Sequence, residues 1–268
     1  MVKAVSRWLG HRPWLLVGDG AYACLRLAWV CVAQQVIVVS RWRLDAQLYD
    51  FPTAGPPDRR GPKPAKGARL PALASRVEEA QRQGHEAEVR WYGGETRRVR
   101  WLTGTALWHT AGERPLPIRW VLVVNPDGEP EPVAFFCTCL ACEPAHIIMA
   151  LVLRWNVEVT FEESRRHLGV ETQRPWSDGA IARTTPALFG LFSLVCLMAY
   201  SLPAGAALRP RSTAWYFKIE ATFSDVLALV RRAIWAGKYF SISGAQGDPV
   251  LFPRQDWESL LDQLAATA

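Results

Sequence analysis

The chain has 268 residues, half of them hydrophobic and 21% charged, with a mean hydropathy of -0.00. That balance excludes a mainly disordered or collagen-like protein, and the length suits one large domain or two small ones. A formal charge of +6, from 31 basic and 25 acidic residues, suits an anionic partner such as nucleic acid without requiring one; thirteen Trp stand beside three Met.

No apolar stretch of signal-peptide length precedes Asp19, so the expected location is the cytoplasm, where the six Cys are reduced thiols. Trp14 to Asp19 (WLLVGD) reads as a buried strand ending in an acid that faces a crevice. Ala21 to Gln35 reads as an apolar helix and Val36 to Val39 as a second buried strand. Strand, helix, strand in so short a span is a βαβ unit, so the fold class is α/β with a parallel pair.

From Phe51 to Arg69 the chain is rich in Pro, Gly and base, and reads as a mobile linker, followed by a short polar helix at Leu70 to Gln83. Alternating runs at Glu88 to Tyr92, Thr96 to Trp108, Ile118 to Val124 and Val133 to Thr138 predict an antiparallel β insertion. Its turns fall at Gly93-Gly94 and Asn125 to Gly128.

From Pro144 the period becomes helical, with Ile147, Ile148, Leu151, Val152, Trp155 and Val159 on one face of a single helix that runs to about His167. The apolar run Pro186 to Leu202 falls short of a bilayer span and opens on Thr184-Thr185-Pro186, an N-cap with Pro in the first turn. It is expected to be a buried core helix rather than a membrane segment. Phe223 to Trp235 predicts a further amphipathic helix. The segments are accordingly 1–50, a βαβ part; 51–86, linker and short helix; 87–143, β insertion; 144–202, two helices; and 203–268, a helical C-terminal region.

Arg154, Glu158, Glu162 and Arg165 recur at spacings of four, four and three, which puts them on one side of that helix. A solvated face with ion pairs is the plain reading. Against it, Trp155 and Phe161 flank Glu158, and a carboxylate among aromatics is costly to keep charged. Asp19 is a second carboxylate from a distant part of the chain, and hard divalent cations take carboxylates gathered in this way.

The run RWNVEVTFEESRRHLG (Arg154 to Gly169) resembles the signature helix of the IS4-like DDE transposases, and GDGAY (Gly18 to Tyr22) is similar to the strand end that carries their second acid. ETQRPWSDGAIARTTPALFGLFSL (Glu171 to Leu194) and VVSRWRLDAQLY (Val38 to Tyr49) also look like these enzymes, so the likeness covers most of the chain. The resemblance implies an RNase H-like sheet and DNA cleavage with strand transfer at insertion-sequence ends. It further implies Mg²⁺ or Mn²⁺ held by the catalytic acids Asp19 and Glu158, and Arg154 and Arg165 on DNA phosphate.

There are departures from the family pattern. Leu151 stands where the signature has Tyr, and Arg165 where it has Lys, a planar fork in place of a point charge. The eighteen residues before Asp19 contain no acid to act as the first catalytic Asp. The chain therefore looks like the C-terminal part of a transposase, an incomplete RNase H-like fold without its first strand. With two acids it would hold at best one metal ion, weakly, and is expected to be inactive by itself. The expected partners are transposon ends and target DNA, with a homodimer on DNA, no membrane, and a nucleoid-associated location. The alternative is a non-catalytic DNA-binding remnant or accessory chain.

Two further clusters stand out. Cys137, Cys139, Cys142 and His146 have the residue types of a zinc site, but no second Cys pair follows, and buried free thiols are the favoured reading. Arg59, Arg60, Lys63, Lys66 and Arg69 in the linker suit either DNA backbone or plain solvation. Arg97, Arg98 and Arg100, interleaved with Trp91, Trp101 and Trp108, are the better candidates for gripping or stacking on DNA, unless the Trp pack the insertion's own core.

Overall fold

The computed structural model describes residues 1–10, 12–53, 64–91, 95–126, 131–174, 176–203, 208–211, 215, 217–240 and 253–266, which fall into two units, Met1–Asn156 and Val157–Ala268. The first is mixed α/β. Helix α1 (Val2–Leu9) leads to β1 (Leu15–Gly18), a short 3-10 turn, helix α2 (Leu25–Ala33) and strand β2 (Ile37–Trp42). β1 and β2 pair in parallel, Leu15 opposite Ile37 and Gly18 opposite Ser40, so the expected βαβ unit is present.

Next come β3 (Leu48–Tyr49), α3 (Val77–Gln83), β4 (His85–Arg90), β5 (Thr96–Trp108), β6 (Leu116–Val124), β7 (Val133–Cys137) and α4 (Pro144–Arg154). The antiparallel strands do not form a separate sheet. Their order is β1-β2-β7-β6-β5-β3, with β4 also on β5, so β7 lies against β2 and the expected insertion extends the parallel pair.

Alternation along β6 shows why one sheet carries two cores. Leu116, Ile118, Trp120, Leu122 and Val124 point to one face, with Trp42, Trp108, Phe136 and the inner residues of α2 and α3. Val121 and Val123 point to the other, with Val99, Trp101 and Phe135, under Ile147, Ile148 and Leu151 of α4. Gly104 admits the first layer: a Cβ there would lie 2.7 Å from the Trp120 indole.

The expected mobile linker ends in an ordered return. Asp50 N–H donates to Ala68, Gly67 N–H to Asp50, and Leu70 N–H to Leu48, which ties 67–70 back along the end of β3. The expected single helix from Pro144 to His167 is instead two. α4 stops at Arg154, Trp155 forms a turn with its N–H on Val152, and α5 (Asn156–Leu168) follows.

The second unit is helical: most of α5, then α6 (Asp178–Ser201), α7 (Phe223–Phe240) and α8 (Arg254–Ala266). α6 begins eight residues before Pro186, because Ser177 caps it, its Oγ accepting from Ala180 N–H. Pro186 is thus inside the helix. Phe192, stacked on Phe223 at 4.3 Å, joins α6 to a small core with Val195 and Val230.

The expected burial of α6 is not found. Val195 is its one buried residue, while Leu191, Leu194 and Leu197 are exposed, because the packed face is only the stripe that meets α7. Among the described residues α6 alone is long and apolar enough to cross a membrane, by length and composition.

Candidate functional site

Asp19 stands one residue beyond the carboxyl end of β1, where ligands of parallel sheets collect. Its Oδ1 accepts the Ala21 N–H at 3.0 Å and so caps the 3-10 turn Gly20–Tyr22. The turn explains the GDGAY run. Tyr22 folds back over Gly18, where a Cβ would lie 2.5 Å from the Tyr22 Cβ. From the neighbouring strand, Ser40 donates its hydroxyl to the Asp19 carbonyl at 2.6 Å. The Asp19 side chain is presented to solvent on a turn held from both strands.

Beside this turn lies a cleft of about 440 Å³, lined among others by Gly20, Arg41, Arg43, Asp45 and Glu131. Arg43 is engaged with Asp45 through two hydrogen bonds of 2.7 and 2.5 Å, and the guanidinium holds the exposed Asp45 carboxyl below the usual carboxylate range. Arg41, next in chain to Ser40, is exposed at the mouth of the same cleft. No spacing motif singled out Arg41; its value comes from strand pairing, which sets the ends of β1 and β2 side by side.

Glu158 lies in the first turn of α5, half-buried, where the helix N-terminus favours a carboxylate. It belongs to the second unit, Asp19 and Arg154 to the first. Arg154 closes α4, so the four polar residues expected on one helix divide between two. Arg165 faces Glu171 at 3.4 Å and Glu162 pairs with Arg166 at 3.2 Å, so this part of the stripe carries ion pairs on a solvated face. Buried Glu163, 3.4 Å from His167, went unnoticed in the sequence, having no distinguishing neighbour there.

On β5, Arg98 and Arg100 both converge on Glu86 of β4, and Arg100 also donates to the Gln81 carbonyl at 2.7 Å. The Arg97 guanidinium sits 5.0 Å above the Trp91 ring. Trp101 and Trp108 are buried in the two cores of the sheet, so they pack the protein rather than present faces to a ligand. Lys66 lies 2.9 Å from His109 Nδ1 and 3.7 Å above the Tyr49 ring. Arg59, Arg60 and Lys63 lie outside the described residues.

Asp19 and Glu158 carry hard oxygen donors of the kind Mg²⁺ takes. Among the described residues, however, no three or more His, Cys, Asp or Glu come together as a group that could hold a metal ion. Cys137, Cys139, Cys142 and His146 form no such group among the described residues, with His146 exposed on α4. No protein-family model matches the chain, and no curated protein matches it.

Proposed function

We propose that the chain is part of a DDE-type transposase of the IS4-like class, built on an RNase H-like sheet, and that it binds DNA at transposon ends and at the target. The observation that carries this reading is Asp19, set on a braced turn at the carboxyl end of the parallel pair, with Arg41 beside it for a phosphate. In this reading Asp19 and Glu158 are the carboxylates that would hold Mg²⁺ or Mn²⁺, and Arg154 and Arg165 contact the DNA backbone. The bound ion would activate a water or a 3′-hydroxyl for attack on the phosphodiester. In this reading two acids would hold such an ion weakly, and cutting would need a further acid.

A second reading is a non-catalytic DNA-binding remnant or accessory chain, in which the exposed Arg41 beside the Asp19 turn meets a phosphate without a cut. One experiment tests both. Duplex carrying the flanking terminal repeat is incubated with the chain in Mg²⁺, with and without a polypeptide supplying a first strand and acid. Salt-sensitive binding, with nicking only in the supplemented reaction and lost in Glu158→Gln, is the outcome expected of the transposase. Binding without nicking in either reaction assigns the chain to the second reading. Absence of DNA binding at low salt removes both.

A further inference from the structure

β7 ends at Cys137, and the chain turns through Cys139 and Cys142 before α4 begins at Pro144. The Cys142 N–H meets the Cys139 carbonyl at 3.4 Å. A turn closed in this way holds its first and fourth Cα atoms within about 7 Å. Disulfides take Cα separations of about 4.4–6.8 Å, so the backbone already has the required span. Cys139 and Cys137 both act on the ionisation of the Cys142 thiol, and Cys137 Sγ accepts the Cys139 N–H at 3.4 Å.

Access separates the three thiols. Cys137 is fully buried, and burial pushes its thiol up to about 12. Cys139 and Cys142 are half-exposed, so a reagent from solution reaches these two. The turn between them is held from β6, where Arg119 Nε donates to the Leu140 carbonyl at 2.7 Å, and the Arg119 charge favours the Cys142 thiolate.

We propose that Cys139 and Cys142 form a reversible dithiol–disulfide pair whose reaction partner is a small-molecule disulfide of the glutathione type. The thiolate of one Cys attacks the small disulfide, forming a mixed disulfide and releasing one small thiolate. The second Cys, as its thiolate, then attacks the protein sulfur of the mixed disulfide, closing the Cys139–Cys142 bond and releasing the other small thiolate. Two protein thiols are oxidised, the small disulfide is reduced to two thiols, and the protons of the protein thiols end on those products. Burial, and then the neighbouring Cys139, push the Cys142 thiol up, so the exchange accelerates as pH rises above neutrality. The pair stands apart from the DNA reading and needs no metal.

The test is incubation of the whole chain with oxidised glutathione at mildly alkaline pH, followed by non-reducing peptide mapping. The expected result is a Cys139–Cys142 linkage with loss of two hydrogens, reversed by excess reduced glutathione. Cys139→Ser should stop at a glutathione adduct on Cys142, and Cys142→Ser at an adduct on Cys139. Wild-type protein in which both thiols stay free, carry stable adducts, or in which Cys142 links to Cys137 instead, overturns the proposal. The wild-type map decides the question even where a serine variant folds poorly.

Discussion

Ser40, with no exposed surface, donates its hydroxyl to the carbonyl of Asp19 at 2.6 Å and so ties β2 to the turn that carries the acid. Replacing Ser40 by Ala leaves that carbonyl only the Tyr22 N–H at 3.0 Å and unties it from β2, and stability should fall by about 1 kcal/mol, read as a lower denaturant midpoint at unchanged slope. An unchanged midpoint would show that the hydroxyl does not brace the turn.

Gly18 and Tyr22 form a second coupled pair. A methyl group at Gly18 meets the Tyr22 side chain at 2.5 Å, so Gly18→Ala should cost about 1–3 kcal/mol. The nearest clash is with the Tyr22 Cβ itself, so combining Gly18→Ala with Tyr22→Gly removes it, and that double variant should be less destabilised than the sum of the single ones. Strict additivity in that cycle would sink the explanation of the GDGAY run.

The cations should separate by their partners. Arg41 is exposed beside Asp19, whereas Arg98 and Arg100 are already engaged with Glu86. Arg41→Ala should weaken binding to duplex DNA and lower the slope of log K against log salt by about one. Arg98→Ala should change that slope by much less. Fluorescence anisotropy over a salt series measures both, and equal effects of the two substitutions would remove the special place given to Arg41.

In the helical unit, buried Asp225 accepts N–H groups from Arg211 at 3.1 Å and Thr222 at 2.9 Å, and pairs with Lys218. Burial pushes its carboxyl up, but Lys218 and the two N–H groups outweigh burial and hold it below the usual range. The unfolded carboxyl, near about 3.9, therefore takes up its proton first as pH falls. The stability due to Asp225 is present above that value and is lost as pH drops from there through the lower native one. Asp225→Asn should cost about 3 kcal/mol at neutral pH and flatten the acid limb of a stability–pH curve. A variant whose stability still falls in parallel with wild type in acid would assign that limb to other groups.

Local pattern by itself determined a good part of this protein. The alternation of Thr96–Trp108 predicts β5 residue for residue, and the order of WLLVGD, apolar helix and Val36–Val39 predicts the parallel pair and places Asp19 at a strand end. These readings succeed because side-chain period and turn residues act over a few neighbours. The break at Trp155 was illegible for the same reason: apolar and polar spacings run on through a one-residue turn.

What tertiary structure alone decided are the relations between distant segments. It joined β7 to β2, so that the antiparallel strands became part of the first sheet. It consumed Arg98 and Arg100 on Glu86, put Trp42, Trp101, Trp108 and Trp120 into the cores, and brought Arg41 beside the Asp19 turn. It also left the apolar outer face of α6 exposed, where composition pointed to burial. Composition and period say which side chains gain by leaving water, but the partner that covers or neutralises each one is supplied by strand pairing and helix packing across the chain.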